Sequence, residues 1–312
     1  MNNKYSTEPA KISISICTRE RPVMLTNLLR SFEALKPLDG TPVQIDIVEN
    51  HTEKNLEALI VELAPSLSFK VTYHWEPKLG IPIARNHGLR AAKASGATHI
   101  IFIDDDERVD ELWLRELWNA YLQYSEDTVI LGTVISAFES SENEHLHHML
   151  QRKIRPTGYA LDTCATNNVI VHIETLDQHQ LKFDESRPLA GGTDSQLFRK
   201  AHLLKIPMFY SAEAIVYEDI PAARVNMRWI SRRNFRVGLS YGEYRKENTP
   251  GMGYPMDRLR ALLKHSSKSL IHLIVYNPEK LRKRWIKVCL ASGQILGFFK
   301  IRVDSYKEIN GN

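Results

Sequence analysis

The chain has 312 residues, 43% apolar and 25% charged, with 15 Gly and 14 Pro. This composition excludes disordered, collagen-like and low-complexity classes and leaves one large domain, or a domain with an appendage. The net charge of +4 is unevenly spread, because residues 256–312 carry 12 Lys and Arg against 4 Asp and Glu, and the remainder carries 29 against 33.

Residues 12–17 (ISISIC) read as a buried strand, β-branched and alternating. Pro22 then suits a first helical turn, and Val23, Leu25, Leu28, Leu29, Phe32 and Leu35 give an apolar helical face. Strands over 43–48 and 69–75 bracket a helix over 56–63. A helix over 84–95 follows, capped by Gly96. The apolar strand 99–103 runs directly into Asp104-Asp-Asp-Glu107. A helix over 110–123 and a strand over 129–135 continue the alternation. Residues 136–166 read as loop with short helix, and 169–171 as a short strand. A helix over 195–204, a short strand over 214–217 and a basic helix over 226–241 come next. Residues 251–255 read as a linker, with two further helices over 256–276 and 279–299. There are no internal repeats.

Strand–helix alternation at this spacing predicts βαβ units and a largely parallel sheet, an α/β fold. Ligands of such sheets bind beyond the carboxyl ends of the strands. Residues 18–21, 49–51 and 104–107 are polar clusters at three such ends, so they converge on one rim. Cys17, Cys164 and Cys289 are odd in number and widely spaced, which argues against a disulfide framework and for a reducing compartment. The first eleven residues hold no signal-peptide stretch. The charge-free run 288–299 is shorter than the ~20 residues that span a bilayer.

Three Asp and one Glu in succession repel one another unless a cation or counter-charge is present. A hard divalent ion, Mg²⁺ or Mn²⁺, suits such oxygen ligands, and Asp104 and Asp106 point to the same side of an extended chain. A solvated loop or the start of the next helix is the other reading of these carboxylates.

Residues 16–22 (ICTRERP), 80–88 (GIPIARNHG), 102–107 (FIDDDE) and 191–194 (GGTD) resemble, in order and spacing, four motifs of the family 2 glycosyltransferases, over about residues 11–240. The resemblance is nearest to bacterial transferases of exopolysaccharide and succinoglycan assembly. It implies a GT-A fold: a Rossmann-like, mostly parallel sheet flanked by helices. Residues 1–250 would form that domain and 251–312 a basic amphipathic helical appendage. It further implies a nucleotide-sugar donor, UDP-linked by preference, inversion at the anomeric carbon, and Mn²⁺ or Mg²⁺ as cofactor. By the same resemblance Asp104 and Asp106 hold the metal and Asp105 meets the donor. Thr18 and Arg21 hold the nucleoside and phosphates, Glu49 reads the base, and Arg85 and Asn86 lie near base and phosphates. Asp194 is the general base, with capping of the following helix as its other reading. In the basic run Arg224, Arg228, Trp229, Arg232 and Arg233, Arg228 and Trp229 are read as diphosphate contacts of the donor or of a lipid-diphosphate acceptor.

The acceptor implied is a glycan or a polyprenyl-diphosphate-linked sugar, and no nucleic acid is expected. The basic tail either lies on an anionic membrane surface or packs on the catalytic domain. The expected location is cytoplasmic, peripheral to the membrane in the first case. A non-catalytic carbohydrate- or nucleotide-binding module and a sugar-phosphate nucleotidyltransferase are the competing functions. The latter expects a Gly-rich loop after the first strand, where this chain has CTRER.

Overall fold

The computed structural model describes residues 9–301 apart from 187, 189 and 190. The far end of the expected appendage, 302–312, and the first eight residues lie outside the described part. The chain runs β1 (Ile12–Thr18), α1 (Pro22–Phe32), β2 (Val43–Glu49), α2 (Glu57–Leu63), β3 (Lys70–Trp75), α3 (Ile81–Ala94) and β4 (His99–Asp104). There follow β5 (Glu107–Val109), α4 (Trp113–Leu122), β6 (Val129–Phe138), β7 (Val169–His172), α5 (Ile173–Gln178), α6 (Thr193–Leu203) and β8 (Met208–Ile220). Three long helices close the described chain: α7 (Met227–Asn248), α8 (Gly253–Ile274) and α9 (Pro278–Phe298).

One sheet has the order β3-β2-β1-β4-β7-β6-β8-β5. β3, β2, β1 and β4 are mutually parallel, as the spacing predicts. The second half is mixed: β7 is antiparallel to β4 and β6, β5 is antiparallel to β8, and β6 and β8 are parallel. β5 is too short and too polar to announce itself, and β8 runs 13 residues where only its centre reads as strand. α3 begins at Ile81, earlier than the pattern suggests, because Pro82 fits its first turn.

The sheet separates two cores. Along β4, Ile101 and Ile103 face α1 and α4, where Leu25, Leu28, Trp113 and Leu117 are buried. Ile100 and Phe102 face the other way, toward Leu89 and Ala92 of α3 and Leu197 and Phe198 of α6. This two-sided burial explains why β4 is an unbroken apolar run. It also leaves only the end of the strand for polar chemistry.

The C-terminal helices pack back onto the body. α9 crosses α7 at glycines: a Cβ on Gly242 would lie 2.1 Å from Gln294 O, and one on Gly297 2.1 Å from Leu239 O. Gly238 and Gly293 are equally crowded. The two backbones therefore touch, and any side chain larger than hydrogen would push them apart.

Candidate active site

At the carboxyl ends of β1 and β4 the chain opens a cavity of about 400 Å³, walled on the far side by α6 and α7. In register, Cys17 lies opposite Asp104 and Thr18 opposite Glu49, so the strand ends arrive together. Burial pushes the Cys17 thiol up to about 12, against the opposing effect of Arg85, so it stays protonated.

Each of the three aspartates has arginine against it. Asp105, 4% exposed, accepts from Thr18 Oγ1 at 2.8 Å and from Arg21 Nη1 at 2.9 Å. Asp104 accepts from Arg85 Nη2 at 3.0 Å. Asp106 meets Arg224 at 3.2 Å and Arg21 at 3.6 Å, and both contacts fall on Oδ2. Burial, then Asp105 and Asp104, push Asp106 up to about 7. Burial works against the Arg21 charge, but Asp105 and Asp106 more than restore it. Glu107 is buried as the first residue of β5; one carboxylate oxygen accepts from the Asp104 N–H at 3.0 Å. Burial and then Asp104 raise it well above the ordinary carboxylate range. Glu218, across the β5–β8 pair, is held by Arg152 at 2.7 Å.

The opposite wall is cationic. Trp229, Arg233, Arg236 and Ser240 of α7 face the cavity at helical spacing, with Arg199 and Ser195 of α6 and the Gly191-Gly192 turn. Arg224 and Arg233 lie 5.8 and 5.9 Å from the Trp229 ring. Arg199 lies over the Tyr241 and Tyr244 rings at 4.7 and 5.1 Å. Burial, then Arg152, pull Arg233 below the ordinary guanidinium value; Glu218 opposes this, while Arg224 and Arg236 add to it. Ser240 Oγ is buried without a hydrogen-bond partner. It sits so close to Gly192 that a Cβ there would lie 2.3 Å away, and Gly192 also has φ +81. Both facts require glycine.

Of the expected residues, Thr18, Arg21, Arg85, Asp104, Asp105, Asp106 and Trp229 line this cavity. Asp194 stands on the first turn of α6 between the lining residues Gly192 and Ser195, its Oδ1 accepting from the Ser195 N–H at 2.7 Å. Gly192 takes the N-cap position itself, while the Asp194 carboxylate is engaged by a first-turn N–H of α6, close to its helix-start reading.

Four expected residues are not among those lining the cavity: Asp194, as just described, and Glu49, Asn86 and Arg228. Glu49 is fully buried, and its oxygens accept from the Asn55 and Leu56 N–H groups and from the Tyr73 hydroxyl, which organises the start of α2. Asn86 latches α3 to the loop between α5 and α6 through Phe183 and Glu185. Arg228 is exposed, because Ile230 turns inward and sets the phase of α7. Asn167 and Asn168 are also buried; Asn168 bonds Trp113, Thr133 and Ala214. The cavity residues that sequence reasoning passed over are Cys17, Arg19, Arg199, Arg236 and Ser240. For Arg236 and Ser240 the signal was present, as i+3 and i+7 continuations of Arg233.

Among the described residues, no three His, Cys, Asp or Glu side chains are gathered around one metal position. Asp104 and Asp106 nonetheless suit a hard cation. Burial first, and then the Asp105 and Asp104 charges, push Asp106 upward, a cost that a cation would relieve, and Mg²⁺-type ions are commonly bound by one or two carboxylates plus phosphate oxygens.

The described fold and site are those of a glycosyltransferase. The description Glycosyl transferase family 2 matches residues 13–177, and the chain belongs to that family. It is 26% identical over 310 residues to the succinoglycan biosynthesis protein ExoM of Rhizobium meliloti (strain 1021), covering 96% of each chain. Among solved structures, S. aureus TarS 1–349 in complex with UDP-GlcNAc matches with a TM-score of 0.55 at 14% identity, over 89% of this chain and 90% of that one. GalNAc-T7 with UDP, GalNAc and Mn²⁺ matches with a TM-score of 0.54 at 14% identity, over 79% of this chain and 52% of that one. The fold is accordingly of the GT-A type, a mixed open sheet with a helical C-terminal region.

Proposed function

We propose that this glycosyltransferase moves a sugar, with inversion, from a UDP-sugar to a hydroxyl of a glycan carried on polyprenyl diphosphate, during assembly of an exopolysaccharide. The observation that carries this reading is the aspartate triple at the end of β4, met by arginines from the β1–α1 loop, α3 and the β8–α7 loop. Charge builds on the departing diphosphate in the transition state, and preorganised cations there lower the barrier. Arg21, Arg85 and Arg224 are placed to exchange a carboxylate partner for a diphosphate oxygen. Asp104 and Asp106 would hold a divalent ion, which when bound supplies further charge stabilisation to the same oxygens.

Asp194 serves as general base: it stands on the first turn of α6 beside the lining residue Ser195 and would exchange the Ser195 N–H for the acceptor hydroxyl. The wall built from Arg199, Arg233, Arg236 and Ser240 suits a second anion, the diphosphate of the acceptor. Trp229 offers a face for a sugar ring. The names of relatives support the reading. ExoM is a succinoglycan biosynthesis protein, and TarS and GalNAc-T7 were solved with UDP or UDP-GlcNAc. We place the enzyme on the cytoplasmic face of the membrane, held by its basic C-terminal helices.

The test is a donor panel: purified protein, Mn²⁺ and a set of nucleotide sugars, with slow release of the nucleoside diphosphate as readout. One UDP-sugar should be hydrolysed, and UDP should raise the melting temperature only with Mn²⁺ or Mg²⁺ present. If no nucleotide sugar is turned over and UDP leaves the melting curve unmoved, the reading fails.

A further inference from the structure

α9 and α8 use their apolar residues differently. α9 buries Ala291, Gly293, Gly297 and Phe298 against α7, so its most apolar stretch is already covered. On α8, Met256, Leu259, Leu263, Leu270 and Ile274 recur at helical spacing on the outer side, each at least 41% exposed. The exposed apolar surface continues past the end of α8 through Val275 to Tyr276, which is 88% exposed.

The turn itself is well defined. The Asn277 N–H bonds His272 O at 2.9 Å and the Tyr276 N–H bonds Leu273 O at 3.2 Å, the pattern of a Schellman C-cap. Tyr276 takes the left-handed position at φ +44, where glycine is the unstrained choice. Asn277 then caps α9, accepting from the Lys280 N–H, and Pro278 opens the helix. A strained, solvent-facing tyrosine at the tip of a rigid turn does nothing for the fold. Behind the tip, along the adjoining parts of α8 and α9, stand Lys268, Lys280, Arg282, Lys283, Arg284 and Lys287. Between residues 268 and 290 the sequence has one acid, Glu279, which pairs with Lys283.

We infer that the α8–α9 hairpin tip inserts its apolar residues into an anionic lipid bilayer surface while the surrounding lysines and arginines hold the headgroups. Apolar tip and cationic collar match the two layers of such a surface, hydrocarbon below and negative charge above. A second copy of the chain is a poor occupant, because a two-fold contact through this tip would bring two basic collars together. Among the described residues no helix is long and apolar enough to cross a membrane, so the contact is insertion, not spanning. The inference deepens the membrane partner proposed above and is independent of the donor.

Flotation of the full chain with vesicles tests it. The protein should rise with phosphatidylcholine vesicles containing phosphatidylglycerol and not with phosphatidylcholine alone, and added salt should weaken the association. Ile274→Asp with Tyr276→Asp should cut partitioning about tenfold or more. Lys280→Glu and Lys287→Glu should each cut it about fivefold or more. All these variants should keep normal circular dichroism and, without vesicles, normal donor hydrolysis. Tyr276→Trp should add fluorescence that brominated lipid quenches. Unchanged flotation of the tip variant overturns the inference. So does absence of flotation while donor hydrolysis is intact, which leaves the transferase reading standing. A concentration-dependent dimer that the tip variant abolishes, without vesicle binding, would assign the surface to a second copy instead.

Discussion

The two walls of the cavity treat charge in opposite ways. At the strand ends, Asp104, Asp105 and Asp106 each accept from or pair with an arginine, so each carboxylate already has a cationic partner within the protein. On the helical side, Arg233 is half-buried near Arg152, Arg224 and Arg236, and its charge is disfavoured there. A ligand at the first wall exchanges partners, whereas an anion at the second relieves repulsion already present. Under the proposed function, the difference assigns the first wall to the donor and the second to the acceptor: partner exchange demands the geometry of a diphosphate on a metal, while relief of repulsion asks only for negative charge.

The kinetic signatures of the two walls should therefore separate. Asp194→Asn should lower kcat by about a hundred- to ten-thousandfold while donor binding, read by calorimetry, stays intact. Normal turnover in that variant would remove Asp194 from the chemistry. At the strand-end wall, Asp106→Ala should weaken donor binding in Mn²⁺ and cut kcat/KM by about a thousandfold. Arg233→Ala should instead raise the KM for a diphosphate-carried acceptor about ten- to hundredfold and leave the donor Kd alone. Equal losses for donor and acceptor would erase the distinction.

Gly297→Val should force α9 from α7, with a stability loss of about 1–3 kcal/mol seen in denaturant melts, and should disturb acceptor binding more than donor binding. The smallest expected effect lies at the other end of β4. His99 is buried against Trp118, Tyr121 and His172, and burial holds it down to about 3. Its folded value lies below the unfolded one, so its contribution is complete above the unfolded pKa and fades as pH falls below it. Between about pH 7.5 and 5.5 this costs about 1 kcal/mol, and His99→Phe should flatten that slope in melts.

Much of the first half was legible because its physics is local. β1 and β4 are apolar runs between helices of regular spacing, and short crossovers admit only parallel pairing. The second half pairs strands across long connections, 139–168 and 173–207, whose direction spacing does not constrain. In the site, residue type and position identified Asp104 to Asp106, Arg21 and Arg85, because strand ends fix where those side chains emerge. Glu49 stands at a strand end too, yet its carboxylate turns to the Asn55 and Leu56 amides. A sequence shows that a carboxylate sits at a rim but not which donors it finds. On α7 the arginines were visible but their phase was not. Ile230 and the α9 contact at Gly238 turn Arg233 and Arg236 inward and leave Arg228 in solvent.

At its contact with α9, α7 sets Gly238 and Gly242 beside the buried Leu239, and α9 is what covers that ridge. A stop codon near residue 250, where the family motifs have all passed, would expose that ridge and its Leu239 to water. The helix presenting Trp229 and Arg233 would then stand without its outer support. Trimming this enzyme to its motif-bearing portion should yield a poorly soluble chain rather than a smaller catalyst.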